Sequence, residues 1–172
     1  TAAIRLFAAS KPLTGSIAST YLRSRSITRV SDLPALRFHP RCYYRPNEDD
    51  DPETAAAFPA LIAAVTDNDG VQTGTHRTWL DPSGCAKAKV ASPRRAMGNI
   101  LGNAVRFGTA DDVMIAGEGI ETMLSLREVL PTMPMAAATS SAHLAAILFP
   151  PTLRRLYIAR DRDVAGDAAF GT

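Results

Sequence analysis

Cysteine is nearly missing from this chain: its 172 residues hold two, Cys42 and Cys85. They stand far apart and in no Cys-x-x-Cys pair, so a structural zinc site has no ligand set to be built from. A disulfide between them is the weaker expectation, and reduced thiols agree with a cytoplasmic location. No signal peptide is visible, and no apolar run is long enough to span a bilayer, so no membrane partner is expected. Charge of one sign is also scarce. The formal net charge of +2 does not by itself point to nucleic acid, although the basic residues are unevenly placed. A phosphate loop is missing too: the glycines at Gly98 and Gly102 lack the Gly-Lys-Ser/Thr ending. His39 has no second ligand at a useful spacing and reads as structural. What remains, 46% apolar and 21% charged residues, describes a globular protein able to bury one good core or two small ones.

Two acidic stretches near the C-terminus organise the rest. Val113-Met114-Ile115-Ala116 runs into Glu118-Gly119-Ile120-Glu121-Thr122, and Leu156-Tyr157-Ile158-Ala159 runs into Asp161-Arg162-Asp163-Val164-Ala165-Gly166. Each reads as a short apolar strand that ends in acid and glycine and then opens a helix. In a parallel sheet both acid sets would lie at the carboxyl ends of strands, where such sheets place ligands. Carboxylates gathered there repel one another, and a hard divalent cation relieves the repulsion. The pair therefore points to metal-dependent phosphoryl or nucleotidyl transfer. The plain alternative is that the acids merely cap helix N-termini.

Upstream, residues 2–10 and 16–24 read as helices, the second with Ile17, Tyr21 and Leu22 at roughly a helical period. Arg23, Arg25 and Arg29 follow as a solvated basic face or a phosphate contact. Residues 36–39 alternate like a half-buried strand, and residues 47–53 form an acidic loop. Residues 59–66, 71–80 and 85–90, separated by Asp67-Asn68-Asp69-Gly70 and Asp81-Pro82-Ser83-Gly84, predict an antiparallel meander. On it Arg77, Lys87 and Lys89 project as candidate cations for a nucleic-acid groove, with Lys87 and Lys89 on one face. Residues 94–108 read as loop-rich, with a short strand at 104–107. From residue 111 strands and helices alternate: strand 113–116, helix 119–130, strand 135–138, a helix capped by Ser140 or Ser141, strand 153–159 and a helix from Ala165. That order predicts an α/β fold with a parallel, Rossmann-like sheet over residues 111–172, preceded by a smaller, basic α+β subdomain over residues 1–110. The chain opens without Met and stops just after a helix is expected to begin, so it reads as part of something longer.

In its acidic elements the C-terminal part resembles the Toprim domain shared by bacterial-type primases, type IA and II topoisomerases and some nucleases. Glu118-Gly119 match its first element, and Asp161, Asp163, Ala165 and Gly166 match the Asp-x-Asp-x-x-Gly element of the primase branch. The upstream part resembles phage, plasmid and mobile-element primases and primase-helicases at Tyr21-Leu22-Arg23-Ser24-Arg25, Leu36-Arg37-Phe38-His39-Pro40, Gly74-Thr75-His76-Arg77-Thr78-Trp79-Leu80 and Lys87-Ala88-Lys89. The resemblance implies a Toprim-type primase core that makes RNA primers on single-stranded DNA during replication. It implies Mg²⁺ or Mn²⁺ held by Glu118, Asp161 and Asp163, with Glu118 as ligand or proton-transfer group and Glu121 as an accessory acid. Gly119 and Gly166 would form the turns of the site, and Arg77, Lys87 and Lys89 would hold template or incoming nucleoside triphosphate. A helicase domain or partner is the expected associate. The chain departs from the pattern where Ser26 replaces the usual Gly, and where Glu121 stands one position before the usual second acid, here Thr122. A third acidic element is expected beyond Thr172, and the zinc-binding domain that often precedes such a core is not among these residues. The isolated chain is then expected to hold metal poorly and to be inactive. Two other readings stand beside primer synthesis: phosphodiester cleavage of the Toprim nuclease or topoisomerase kind, and a non-catalytic nucleic-acid-binding module.

Overall fold

Hydrophobic alternation in the first two-thirds of the chain and apolar runs in the last third give two different sheets. The computed structural model describes residues 1–160. Its elements are α1 (Ala2–Ala9), β1 (Lys11–Pro12), α2 (Ile17–Ser24), β2 (Leu36–Tyr43), β3 (Ala57–Thr66), β4 (Gln72–Trp79), β5 (Arg94–Gly98), β6 (Val105–Phe107), β7 (Val113–Gly117), α3 (Ile120–Val129), β8 (Met135–Ala137), α4 (Ser141–Ala145) and β9 (Arg155–Ala159).

The first sheet is antiparallel throughout, in the order β1-β2-β3-β4-β5. Its central strand β3 is buried without interruption from Ala60 to Val65 because both faces are covered. One face carries Cys42, Tyr44, Ala60, Ile62 and Trp79, with Leu6 and Phe7 of α1 against them. The other carries Phe38, Leu61, Ala63, Val65 and Leu80 and packs on α2, α3 and the second sheet as one shared core. The hairpin between β3 and β4 closes where Asp67 accepts from the Gly70 N–H at 3.3 Å and Gly70 takes φ +78°.

Helix α2 turns one stripe inward: Ala18, Tyr21 and Leu22 lie at the i, i+3, i+4 spacing and are fully buried. Burial of Tyr21 and Leu22 stabilises the fold by roughly 2 kcal/mol each. The helix ends in a Schellman turn. The Ile27 N–H donates to the Leu22 carbonyl at 3.0 Å, the Ser26 N–H donates to the Arg23 carbonyl at 2.9 Å, and Ser26 sits at φ 63°. Leu22 and Ile27, the two ends of that turn, both enter the shared core.

The second sheet has the order β6-β8-β7-β9. Strand β7 is parallel to both β8 and β9, and β6 joins the far side of β8 antiparallel. The parallel trio over residues 113–159 agrees with the βαβ alternation of the sequence. The helix expected from Ala165 lies outside the described residues.

One strand expectation fails. Residues 85–90 form no strand, only a single bridge between Leu80 and Lys87. The free edge of β4 over Gly74 to Thr78 is taken instead by β5, residues read from sequence as loop. The small residues after the Asp81–Gly84 turn bury Ala88 beneath Trp79, whose carbonyl accepts from the Ala88 N–H at 2.9 Å, and the chain crosses to β5. Cys42 is buried, Cys85 is exposed, and neither is bonded to the other. Among the described residues no helix is long and apolar enough to cross a membrane.

Candidate active site

Strand β7 is flanked by β8 and β9, so its carboxyl end opens at the middle of the second sheet. Register is set there by Gly117, paired with Ala137 of β8 and Ala159 of β9. A Cβ on Gly117 would lie 2.5 Å from the mobile end of Met123 and 3.1 Å from the Ala159 carbonyl oxygen, so glycine lets β9 approach without displacing either. Glu118 follows immediately. Its backbone carbonyl accepts from the Thr139 N–H at 2.9 Å, which ties it to the end of β8. Its carboxylate is half-buried and has no ion-pair partner among the described residues. Gly119 then caps α3 without a side-chain hydrogen bond, and Ile120, Met123 and Leu124 lock the helix to the core.

Asp161, Asp163 and Gly166 lie outside the described residues. The strand that leads to them ends at Ala159, level with Gly117. Within residues 1–160 no group of three His, Cys, Asp or Glu side chains could hold a metal. Glu118 still has the chemistry of a Mg²⁺ or Mn²⁺ ligand: a hard oxygen donor, not neutralised by a cation among the described residues, at the carboxyl end of a parallel strand. The residues present therefore fit part of a divalent-cation site.

Glu121 stands in a different setting. It lies in the first turn of α3, and its Oε1 accepts from the Tyr21 hydroxyl at 2.8 Å and meets the Lys87 ammonium at 3.2 Å. Burial pushes its carboxyl up, but the Lys87 charge, its own backbone N–H and the Tyr21 hydroxyl outweigh burial and hold it below the usual range. Burial and the Glu121 charge together push the Tyr21 phenol well up, so it stays a donor. Arg25 covers the Tyr21 ring at 4.8 Å. His76 is buried nearby, its Nδ1 without a hydrogen-bond partner among the described residues; burial lowers it to about 4 despite the opposing pull of Glu121, so it is neutral.

The three candidate cations do not share a face. Adjacent residues of a strand point to opposite sides, and β4 sends His76 toward Glu121 and Arg77 away from it. Arg77 lies 4.8 Å over the Trp79 ring, its Nε buried without a hydrogen-bond partner among the described residues, on the face that carries Cys42 and Tyr44. Lys87 is half-buried on Glu121, and Lys89 is exposed. Tyr21 and His76, whose motifs are visible in the sequence, gave no sign there of their part in this cluster. The helical period marks Tyr21 as a core residue, and only the fold brings α2, β4 and α3 together.

Comparison with known proteins follows the same division of the chain. The Toprim domain model matches residues 113–172, and the model described as domain of unknown function (DUF7146) matches residues 1–107. No curated protein matches. Among solved structures, the DnaG catalytic core superposes with a TM-score of 0.59 at 14% identity over 96% of this chain and 63% of that one. The DnaG primase catalytic domain bound to ssDNA gives a TM-score of 0.55 at 14% identity, covering 96% of this chain and 62% of that one. The primase fragment of the bacteriophage T7 primase-helicase gives 0.50 at 14% identity, covering 66% and 47%. The chain thus spans less than two-thirds of each of these structures, and at such identity the likeness is one of fold. The chain belongs to the family described as domain of unknown function (DUF7146), and its residues 113–172 match the Toprim domain model.

Proposed function

We propose that this chain is the catalytic core of a DNA primase, which joins ribonucleotides on a single-stranded DNA template. The observation that carries the reading is the register of β7 with β9. The strand ending at Glu118 and the strand leading to Asp161 and Asp163 are hydrogen-bonded neighbours that finish level with one another. Glu118, Asp161 and Asp163 are the oxygen donors that would hold Mg²⁺ or Mn²⁺, whose charge would polarise the α-phosphate and neutralise the departing pyrophosphate. The primer 3′-oxygen attacks the α-phosphorus, a new P–O bond forms, and pyrophosphate leaves. The hydroxyl proton passes to Glu118 or to water. Lys87 and Lys89 meet the triphosphate or the template backbone. Arg77 supports the outer face of the first sheet through Trp79 and takes no part in the chemistry.

Single-stranded DNA and nucleoside triphosphates are the proposed substrates, and a helicase is the proposed associate, in line with the primase structures that share the fold. The test is ribonucleotide incorporation on a single-stranded template by the intact protein with Mg²⁺, wild type against Asp161→Asn. Template-dependent incorporation that the substitution abolishes is the expected result. Equal activity in the two removes the metal-site reading. Metal-dependent nicking without incorporation would assign the site to phosphodiester cleavage instead.

A further inference from the structure

Four residues scattered over the sequence, Tyr21, His76, Lys87 and Glu121, meet between the two sheets. Glu121 is the hub, held from two sides on one oxygen. The Tyr21 hydroxyl reaches Oε1 at 2.8 Å from α2, and the Lys87 ammonium reaches it at 3.2 Å from the segment between β4 and β5. Tyr21 is fully buried, so its hydroxyl is fixed by core packing. His76 is neutral and adds no competing charge. Lys87 differs from its partners in keeping 26% of its side chain exposed. Its ammonium is anchored on Glu121 at the N-terminal turn of α3, three residues past Glu118, and part of the side chain reaches solvent.

A lysine free in solvent loses up to about 2 kcal/mol of rotamer freedom when a ligand fixes it. A carboxylate that fixes it in advance removes part of that cost, but also offsets part of the ammonium's attraction for an anion. The two effects have opposite signs, so they can be told apart. We propose that Glu121 is a positioning residue: pinned by the Tyr21 hydroxyl, its carboxylate holds the Lys87 ammonium where it meets the phosphates of a nucleoside triphosphate at the Glu118 end of the sheet. The inference rests on the reading of Lys87 as a triphosphate contact, and it gives Glu121 a positioning role in place of that of an accessory acid.

The experiment is calorimetric titration of ATP with Mg²⁺ into the intact protein, with thermal unfolding of each variant alongside. Glu121→Gln is expected to weaken ATP binding by up to about tenfold, the range of one side chain's ordering, and Tyr21→Phe by about threefold. Lys87→Met should bind as poorly as Glu121→Gln, and the double variant no worse than Lys87→Met alone, because both changes remove one interaction. Tighter ATP binding by Glu121→Gln overturns the proposal, since the carboxylate would then only neutralise the ammonium. Unchanged affinity with a lowered unfolding midpoint also overturns it, as does failure of the wild type to bind ATP. Should Glu121→Gln not fold, Tyr21→Phe keeps the ring in the core and carries the same test. Primer synthesis is measured in parallel. A wild type that shows the variant pattern in binding but incorporates no ribonucleotide loses the polymerase reading and keeps the positioning role. One that incorporates while Glu121→Gln binds ATP normally loses only the positioning role.

Discussion

The Lys87 ammonium lies 3.2 Å from Oε1 of Glu121, and both side chains are largely shielded, at 26% and 18% exposure. A pair in that setting is more sensitive to loss of one member than to loss of both. Lys87→Met should lower stability by roughly 1–3 kcal/mol in urea unfolding, because Glu121 is left half-buried with no cation to offset its charge among the described residues. The double variant with Glu121→Gln should lose less than the sum of the two single losses. Additive losses would mean that the pair is not coupled in solution.

Stability should also depend on pH through His76. Its folded value is about 4 against an ordinary 6.5, because burial disfavours the imidazolium. Between those values the unfolded chain binds a proton that the native state does not. The stabilisation is therefore fully present above pH ~6.5 and is lost as the pH falls toward ~4, on the order of 3 kcal/mol in all. Glu121, whose carboxyl is depressed, adds a loss of the same sign at the acid end. His76→Gln should flatten the profile between pH 4 and 6.5. A wild-type profile already flat there would show that His76 titrates normally.

Ser26 should be a stabilising site. It holds φ 63° at the end of α2, a conformation that costs a residue with a Cβ about 1–2 kcal/mol. Ser26→Gly removes that strain and returns part of the gain to the more flexible unfolded chain. A net gain of about 0.5–1 kcal/mol is expected, read as a higher denaturation midpoint with an unchanged slope.

Gly98 should behave in the opposite way. Its φ is +98°, and a Cβ there would stand 2.7 Å from the Thr73 carbonyl oxygen and 2.8 Å from Cα of Gly74. Both neighbours are backbone and cannot swing aside, so Gly98→Ala should cost more than about 2 kcal/mol. Gly70→Ala, at φ +78° with nothing within 4 Å, should cost about 1 kcal/mol. Equal costs at the two positions would mean that β5 shifts to make room.

Glu118 offers the contrast between chemistry and stability. Its carboxylate has no ion-pair partner among the described residues, so Glu118→Gln removes no charge pair among them. Urea unfolding should change by no more than about 0.5 kcal/mol. Ribonucleotide incorporation by the intact protein should fall by about two orders of magnitude or more, the usual size of a lost acid-base group or ligand. If Glu118 is a ligand, excess Mn²⁺ should restore part of the rate, and if it is the base it should not.

The place of Glu118 at the end of a strand was legible because a short apolar run stops there in acid and glycine. The parallel trio was legible for a related reason: short apolar runs alternating with helical stretches leave few other arrangements. Ser26 was visible as a departure from a glycine pattern, and its positive φ supplies the physical reason for the pattern. The third strand of the meander was misread because residues 85–90 alternate as a strand should, while Arg94–Gly98 carry a proline before them and glycine at their end. What decides between them is competition for one edge of β4, which no local window contains. The Glu121 cluster was hidden for the same reason. Tyr21 and Glu121 are 100 residues apart, and the period that buries Tyr21 says nothing of where its hydroxyl points.

The pairing of β6 with β8 bears on how the molecule comes apart. Val105 to Phe107 sit at the end of the stretch covered by the first family model, yet their hydrogen bonds go to Met135 through Ala137 in the second sheet. The shared core likewise mixes Tyr21, Leu22 and Leu61 with Ile115, Met123 and Met135. Opening either sheet alone would strand half of that core in water. The least costly route to exposing an amide of β3 or β8 is then to unfold both sheets at once, so the slowest-exchanging amides of the two should exchange at one common rate. A sequence boundary that looks like a hinge would thus be, for hydrogen exchange, the inside of a single cooperative unit.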